Sequence, residues 1–387
     1  MLLRILIFLI IGLTLPAYYI DRCFLKRTSL RLLLWLPNLV LLLLAIVLTI
    51  FENFTPWNVW AKGIFLVFYM CIAIPETIFT LLSLLGLLFR KQKPILYKVI
   101  NGVALMVAIS SFSSILIGYF YGYKHIVTKE FHYESADIPQ SFDGYRIVQF
   151  SDLHIGSYSE EPEIVNHIVQ RINELKADAI VFTGDLVNYR SCELVQFKDV
   201  LAKLNAKDGV FSIMGNHDYM SYYHWENKAE EKEDIRKLQT LEKEMGWNLL
   251  LNDSHNIARG NDTIAIIGVE NDGKPPFPQY GDLPKAMRKL STNIHFKILL
   301  SHDPTHWKRS VLPETNIPLM LAGHTHGMQF KIGNFSPALF VYNEWDGIYY
   351  EKARALIVSI GLGQVLLPLR FGAWPEIEVI TLHSKKL

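Results

Sequence analysis

The sequence of 387 residues predicts an α/β domain preceded by a region of four membrane-spanning helices. Two observations predict this arrangement. Apolar residues, which make up 50% of the chain, crowd into its N-terminal part, where charged residues are few. Further along, short apolar strand-like runs alternate with segments of helical spacing, as in α/β sheets. We therefore divide the chain into a transmembrane region, 1–121, a linker, 122–142, and a third region, 143–387, that folds as the α/β domain.

Four segments are long and apolar enough to cross a bilayer, which needs about 20 helical residues. They run approximately over Leu2–Ile20, Leu32–Phe51, Gly63–Phe89 and Val99–Phe120. The first segment has no Ala-x-Ala-like cleavage site and is followed by further spans, so we interpret it as a retained helix. Glu76 lies within the third span, which predicts either a polar structural role, with Glu76 protonated or bonded to the serine cluster of the fourth span, or a role with lipid or protons.

Basic residues in the loops predict the orientation of these spans. The first and third loops are the most basic; their residues are Arg22, Lys26, Arg27, Arg31, Arg90, Lys91, Lys93 and Lys98. The second loop carries a single basic residue, Lys62. The excess of Lys and Arg in cytoplasmic loops places the first and third loops inside the cell and both chain ends outside. We therefore expect an integral protein of the plasma (inner) membrane with an extracytoplasmic α/β domain.

The α/β domain begins with an alternation of strands and helices. Predicted strands are Tyr145–Phe150, Ala179–Thr183, Val210–Met214, Ile264–Val269, Lys297–Leu300 and Pro318–Leu321. Predicted helices are Glu161–Leu175, Glu193–Leu204 and the charge-rich Trp225–Met245. Ligands of open α/β sheets collect at the carboxyl ends of strands, so polar residues that follow these strands are candidate site residues.

Composition excludes some functions. The formal net charge is +1, and no basic stripe with interleaved aromatic residues occurs, so nucleic acid is not an expected partner. Of the three cysteines, only Cys192 lies in the α/β domain, which excludes an internal disulfide framework there. The chain contains neither His-Glu-x-x-His nor His-x-x-Glu-His, so a zinc peptidase is not expected.

Five short polar segments follow the predicted strands in order. They are Ser151-Asp152-Leu153-His154, Gly184-Asp185, Gly215-Asn216-His217-Asp218, Ser301-His302 and Gly323-His324-Thr325-His326. Carboxylate, imidazole and amide oxygen together suit Mn, Fe, Zn or Co, and the segments contain no cysteine. Two such cations about 3.5–4 Å apart would hold an attacking hydroxide between them and stabilise both oxygens of an in-line phosphoryl displacement. The segments therefore predict a dinuclear phosphoesterase centre.

This pattern resembles the calcineurin-like metallophosphoesterase superfamily, and the resemblance covers 143–387. The family pattern is Asp-x-His, Gly-Asp, Gly-Asn-His-Asp/Glu, His and Gly-His-x-His, and every element is present. The C-terminal motifs resemble those of a bacterial subfamily of membrane-associated or exported members; they are Gly361-Leu362-Gly363, Arg370-Phe371-Gly372 and Pro375-Glu376-Ile377. The resemblance implies a sandwich of two mixed sheets flanked by helices.

The resemblance also implies roles for individual residues. Asp152, His154 and His326 would bind a first metal ion, and Asp185 would bridge to a second. The remaining ligands of the second ion would be Asn216, His302 and His324. His217 would contact the scissile phosphate and stabilise or protonate the leaving oxygen. Asp218 is expected to orient His217, because an imidazole must have its other nitrogen fixed to present one tautomer. Nearby loop residues that could line a substrate pocket are Asn188, Tyr219, Tyr222, Tyr223, His224 and His306.

We therefore expect a membrane-anchored phosphoesterase that hydrolyses a phosphate monoester, diester or pyrophosphate bond. The predicted substrate is an envelope or lipid-linked phosphate ester, because four spans exceed what an anchor requires. Two alternatives remain. One is a UDP-diacylglucosamine pyrophosphatase at the cytoplasmic face, as in one branch of the subfamily that this chain resembles; the other is a non-catalytic, metal-stabilised binding module. Mono- or diester preference, metal identity and oligomeric state are open at this stage.

Overall fold

The computed structural model describes residues 2–50, 56–291, 294 and 296–385, which form two compact units. The first unit contains four helices: α1 (Leu2–Phe24), α2 (Thr28–Ile50), α3 (Pro56–Leu87) and α4 (Pro94–Phe120). All four are long and apolar enough to cross a membrane, as predicted. Phe51, the predicted end of the second span, lies outside the described residues.

Polar side chains inside the helical unit contact one another between helices. Asn38 of α2 donates a hydrogen bond to Oε1 of Glu76 at 3.1 Å. Glu76 therefore makes a polar contact between helices, as predicted, but the partner that the structure shows is Asn38 and not a serine of α4. Two of those serines bond to their own helix: Ser111 donates to the carbonyl of Ala108 and Ser114 to that of Ser110. Serine hydroxyls in helices commonly make such local bonds.

A short piece of chain from the C-terminal part of the sequence, Leu366–Phe371, belongs to the helical unit. Leu369 packs against Val67 and Ile115. The amide of Arg370 donates a hydrogen bond to the carbonyl of Gly118 at 3.1 Å. A methyl group at Gly118 would lie 3.0 Å from the carbonyl oxygen of Arg370, so the absent side chain permits this close backbone approach.

The second unit contains two six-stranded mixed sheets. The strands of the first are β1 (Val127–Ser135), β2 (Arg146–Phe150), β3 (Ala179–Phe182), β4 (Val210–Ser212), β5 (Asn248–Leu249) and β12 (Glu376–Ser384), in the order β1-β12-β2-β3-β4-β5. Strands β2 to β5 run parallel, whereas β12 is antiparallel to β2. The sheet thus places the carboxyl ends of β2, β3 and β4 side by side.

The second sheet contributes two more parallel strand ends. Its strands are β6 (Asp253–Arg259), β7 (Asp262–Gly268), β8 (Lys297–Leu300), β9 (Leu319–Ala322), β10 (Gly347–Glu351) and β11 (Arg354–Val358), in the order β10-β11-β9-β8-β7-β6. Strands β7, β8, β9 and β11 lie side by side in the order β11-β9-β8-β7 and run parallel to one another. Every residue of β9 is buried, which matches the continuous apolar run predicted there.

Apolar side chains pack between the two sheets and also between each sheet and the helices on its outer face. Side chains from both sheets form one cluster; examples are Ile147, Val181, Ile298, Leu321 and Ile380. Helices α5 (Pro162–Glu174), α6 (Lys198–Leu201) and α7 (Lys228–Glu244) carry buried residues that pack on the outer face of the first sheet. Helix α8 (Leu283–Met287) packs similarly on the second sheet, and the short α9 (Leu312–Glu314) lies near it in the chain. The predicted two-sheet α/β fold is thus confirmed.

Two predictions about elements need correction. Residues 122–142 were predicted to be a linker, yet Val127–Ser135 forms the edge strand β1, paired in parallel with β12. The segment alternates charged and apolar residues because an edge strand buries one face only, and a linker has no such pairing. The predicted helix Glu193–Leu204 is instead a 3-10 turn, Ser191–Leu194, followed by the single turn α6.

Candidate metal centre

The predicted ligand residues all follow strand ends of the two sheets. The first sheet contributes Asp152 and His154 after β2, Asp185 after β3, and Asn216 and His217 after β4. The second sheet contributes His302 after β8, and His324 and His326 after β9. All these residues except His217 and His324 are buried. The two sheets together therefore bring residues that are far apart in the sequence to one rim.

The backbone at this rim is strained. Five of the predicted ligand residues have positive φ: Asp152, His154, Asp185, His324 and His326. Residues other than glycine rarely adopt this left-handed region, and such outliers concentrate at functional sites. The surrounding fold therefore holds these side chains in place at a cost in backbone energy.

Two glycines at the rim allow carboxylates to approach the backbone closely. A methyl group at Gly215 would lie 2.2 Å from Oδ1 of Asp185, and one at Gly323 would lie 2.3 Å from Oδ2 of Asp152. Neither glycine has a positive φ, so neither is needed for a left-handed backbone conformation. At these two positions the absent side chains make room for the candidate ligands.

The side chains of the rim form three overlapping groups, each able to hold a metal ion. The groups are Asp152, His154 and His326; His154, Asp185 and His217; and Asp185, His302 and His324. Within each group the potential ligand atoms lie within 4.8 Å of one another. His154 and Asp185 each belong to two groups, so the groups are contiguous. The described residues thus form one extended cluster of donor atoms.

Several buried atoms in this cluster face partners of the same kind. Nε2 of His154 lies 3.1 Å from Nε2 of His326. Nδ1 of His302 donates a hydrogen bond to the carbonyl oxygen of Thr183 at 2.7 Å, which leaves Nε2, 3.1 Å from Oδ2 of Asp185, as the nitrogen that faces the cluster. Among the described residues, Oδ1 of Asn216 has no hydrogen-bond partner. Buried acceptors without donors are rare in proteins, and metal cations between them would satisfy them.

The charges of the cluster also favour a cation. Although burial alone would raise it, the pKa of Asp185 is held well below its usual range by His302 and His217. Burial alone would lower the pKa of His302, but the neighbouring Asp185 carboxylate raises it. The net effect is a pKa of about 10. The proton on His302 thus occupies a position where a metal ion would compete with it, and metal binding would release it.

The structure corrects the predicted partner of His217. Nδ1 of His217 lies 2.8 Å from the carbonyl oxygen of Asn188, which fixes the ring and places a proton on Nδ1. Asp218 was predicted to orient His217. Instead, both of its oxygens accept hydrogen bonds from backbone amides, those of Asp185, Leu186, Val187 and Gly215. The physical reason is that a buried carboxylate at a strand end is best satisfied by several backbone amides, and Asp218 thereby clamps two ligand loops together.

Aromatic side chains flank the cluster. The ring of Tyr222 stacks on His217 with a centroid distance of 4.2 Å, and its hydroxyl accepts a hydrogen bond from Asn216 at 2.9 Å. The hydroxyl of Tyr342 lies 3.1 Å from Nε2 of His324, and the ring of Phe277 meets His324 edge-on at 4.6 Å. Tyr342 and Phe277 were missed because neither is close in sequence to a ligand segment.

The other loop residues proposed for a substrate pocket make different contacts. Tyr219 donates to Glu270 at 3.0 Å, and Nδ1 of His306 lies 2.9 Å from Oγ of Ser301. The ring of Tyr223 lies against Arg190 and Trp225. Asp303, which sequence reasoning also missed, is buried with Oδ2 3.7 Å from Nε2 of His324. Its position directly after His302 was the only signal that could have identified it.

A two-sheet α/β fold with carboxylate and imidazole donors at adjoining strand ends indicates a metal-binding enzyme, and comparison with known proteins identifies the family. Residues 145–328 match the calcineurin-like phosphoesterases. The chain is 34% identical over 270 residues to the uncharacterized metallophosphoesterase YkuE of Bacillus subtilis, a match that spans 67% of this chain and 86% of that protein. The chain therefore belongs to the calcineurin-like metallophosphoesterases. It is a phosphoesterase, and the family implies divalent metal ions.

Two other relatives also bear on this protein. One is a transmembrane protein with a metallophosphoesterase domain from Danio rerio, 28% identical over 256 residues, which span 64% of this chain and 55% of the relative. The other is the UDP-2,3-diacylglucosamine pyrophosphatase LpxG of Chlamydia trachomatis, which is 26% identical over 292 residues. The match spans 62% of this chain and 85% of LpxG. Together with the four apolar helices, they indicate a membrane protein.

Proposed function

We propose that this protein binds two divalent metal ions and hydrolyses phosphate mono- or diester or pyrophosphate bonds of an envelope or lipid-linked substrate. The observation that carries the proposal is the cluster of three overlapping donor groups at the rim, in which His154 and Asp185 are shared. A cluster that holds one ion would need only one such group. The sharing of Asp185 supports its role as the bridging ligand.

The ligand residues follow from these groups. Asp152, His154 and His326 would hold one ion and His302 and His324 the other, with Asp185 shared. Asn216, whose buried Oδ1 has no hydrogen-bond partner among the described residues, would complete the second set. Mn, Fe, Zn and Co all suit this mixture of carboxylate, imidazole and amide donors. When bound, the ions would supply charge neutralisation and an activated water molecule for attack on phosphorus.

His217 would act on the leaving oxygen. The hydrogen bond from Nδ1 to the carbonyl of Asn188 fixes the ring, and the ring of Tyr222 packs on one face of it. Nε2 is then the nitrogen available to the substrate, and in its protonated form it donates to the leaving oxygen. Asp218 has a positioning role, because it holds the amides around Asp185 and Gly215.

Hydrolysis of bis(p-nitrophenyl) phosphate by the full-length protein in detergent tests this chemistry. We expect activity that is lost on chelation and restored by Mn²⁺, and that His217→Ala reduces while the metal content stays at two ions per chain. His167→Ala, an exposed histidine on α5, is the matched control and should leave both values unchanged. A protein that binds metal without any hydrolysis would instead be the non-catalytic binding module.

The substrate depends on the membrane face. The basic loops support an extracytoplasmic domain, which favours an envelope or lipid-linked phosphate. The similarity to LpxG favours a second candidate, hydrolysis of a UDP-diacylglucosamine pyrophosphate bond at the cytoplasmic face. A C-terminal alkaline phosphatase fusion separates the two, since that enzyme is active only outside the cytoplasm. An active fusion supports the first candidate, and an inactive but well-expressed fusion supports the second.

A further inference from the structure

Residues 328–341, which follow the last predicted ligand, form a loop that exposes large apolar side chains. We call this loop the apolar segment. Among the described residues of the α/β unit, six of the nine exposed large apolar side chains lie in it. They are Met328, Ile332, Phe335, Leu339, Phe340 and Val341. Phe340 is the most exposed of these, at 82%. Such a concentration in one short loop marks an interaction surface.

The exposure is built into the loop rather than the result of a loose chain. Ser336 is fully buried; its hydroxyl donates to the carbonyl of Gly327 at 2.7 Å and accepts from the amide of Ala338 at 3.0 Å. Ala338 is also buried, within the 3-10 turn Pro337–Phe340. The small residues Ser336 and Ala338 are thus buried, and the large apolar residues on either side of them are exposed.

The apolar segment presents little charge. Lys331 is its single ionisable residue; the Lys331 ammonium forms an ion pair with Asp346 and lies over the ring of Trp345 at 5.5 Å. The charge of Lys331 is thus compensated within the α/β unit. A surface of large aliphatic and aromatic groups without free charge matches the acyl region of a lipid bilayer better than a charged macromolecule.

The apolar segment is continuous with the metal centre. It begins two residues after His326 and ends next to Tyr342, whose hydroxyl lies 3.1 Å from Nε2 of His324. Its second residue, Gln329, exchanges two hydrogen bonds with the backbone of Val365, at 3.0 and 2.9 Å. In the sequence, Val365 directly precedes Leu366–Phe371, the piece of chain that belongs to the helical unit.

We propose that the apolar segment inserts into the surface of the bilayer that carries the four helices. The occupant of this surface is the lipid bilayer, because the same chain carries helices able to span it. Apolar side chains buried at the headgroup and acyl boundary would hold the metal centre at the membrane surface. A lipid-linked phosphate would then reach the centre while its acyl chains remain in the bilayer, and only this last step rests on the proposed function.

Depth-dependent quenching in nanodiscs tests the insertion. Cys23, Cys71 and Cys192 are replaced by serine, and Phe340→Cys in this background is labelled with a bimane fluorophore. The full-length protein is reconstituted in phosphatidylcholine nanodiscs with or without lipids doxylated near the headgroup. Labels at Val195→Cys and Tyr280→Cys, two exposed apolar positions outside the apolar segment, are the controls. We expect doxyl lipids to quench the label at position 340 at least about two-fold more strongly than either control.

Equal quenching at position 340 and at the controls would overturn the proposal. So would cross-linking of two copies through position 340 without lipid quenching, because the surface would then serve a second copy of the chain. If Phe340→Cys prevents folding, Val341→Cys, which is also exposed, replaces it. Hydrolysis of bis(p-nitrophenyl) phosphate is measured on the same samples. Hydrolysis without quenching refutes only the insertion, and quenching without hydrolysis refutes only the proposed function.

Discussion

Two clusters of buried and half-buried ionisable side chains in the α/β unit differ in how their charge is balanced. The lysine cluster consists of Lys129, Lys331, Asp346, Glu376 and Glu378. Lys129 forms ion pairs with Glu376 at 2.6 Å and with Asp346 at 2.5 Å, and Lys331 also pairs with Asp346. Burial, and after it the neighbouring Glu376, raises the pKa of Glu378 well above its usual range. Burial thus favours the neutral form of Glu378, and the two lysines pair with the two remaining carboxylates, those of Asp346 and Glu376.

The metal centre has no such internal balance. Asp152 and Asp185 are buried carboxylates, and all their described ion pairs are with histidines, which contribute a cation only when protonated. The lysine cluster also lacks the left-handed residues that are frequent at the metal centre. The comparison shows that a buried charged cluster is structural where the chain supplies the counter-charge, and poised to bind a cation where it does not.

The largest expected effect is at the bridging ligand. Asp185→Asn should reduce bis(p-nitrophenyl) phosphate hydrolysis by about 10³-fold or more, because loss of one ligand shared by two ions disrupts both. Metal analysis should show fewer than two ions per chain. Asp346→Asn in the lysine cluster is the matched control and should retain both ions. A variant at position 185 that still held two ions would contradict the bridging role.

His217→Ala should reduce hydrolysis by about 10²–10³-fold, because a general acid typically contributes a factor of this size. Metal stoichiometry should not change, which separates this variant from Asp185→Asn. The loss should be smaller for a substrate with a nitrophenol leaving group than for one with an alkyl leaving group, since a poor leaving group needs its proton more. Equal losses for both would argue against protonation of the leaving oxygen.

Lys129→Met should destabilise the α/β unit by about 3 kcal/mol, because it leaves Glu376 buried without its cation. The measurement is the free energy of unfolding of the detergent-solubilised chain. Lys198→Met, which removes an ion pair to the half-exposed Glu244, should have a much smaller effect, because solvent screens an exposed ion pair. If the two variants lost the same amount of stability, the lysine cluster would not be the tightly coupled structural element inferred here.

A pH-dependent effect is expected at Glu242 of α7, which accepts a hydrogen bond from Ser212 at 2.6 Å. Burial, and then the nearby Asp218, raises the pKa of Glu242 from 4.5 to about 8. The folded state therefore holds a proton that the unfolded state loses between these values, and stability falls as pH rises through this window. Glu242→Gln should remove this contribution, so that the variant gains stability over the wild type at pH 8, by up to about 4 kcal/mol for a pKa shift of this size, and gains none at pH 4. Unfolding curves at both pH values would check it, and parallel curves would refute it.

Much of the fold and the candidate site could be predicted from local pattern. Apolar runs of strand length followed by Asp, His or Asn located the five segments, because side chains at the carboxyl ends of parallel strands meet at one edge. The strand β1 was not predicted, since an edge strand that pairs with the last strand of the chain depends on a contact between residues 127–135 and 376–384. Local sequence carries no signal for a pairing of that separation.

Contacts of individual side chains were predicted less well. Asp218 was expected to fix one nitrogen of the His217 ring, but its oxygens accept hydrogen bonds from backbone amides of two loops instead. Tyr342 and Phe277 lie far from the ligand segments in the sequence and reach His324 only through the fold. Glu76 likewise meets Asn38, a residue on another helix.

The sequence alone determined the fold class, the four apolar spans and the candidate ligand residues of the metal centre, because these depend on residue type and spacing within short stretches of chain. Only the tertiary structure decided which donor atoms share a group, which residue orients His217, and that the apolar segment exposes its large side chains beside the metal centre. The physical reason is that burial and hydrogen-bond partners are set by long-range packing, which residue spacing does not encode.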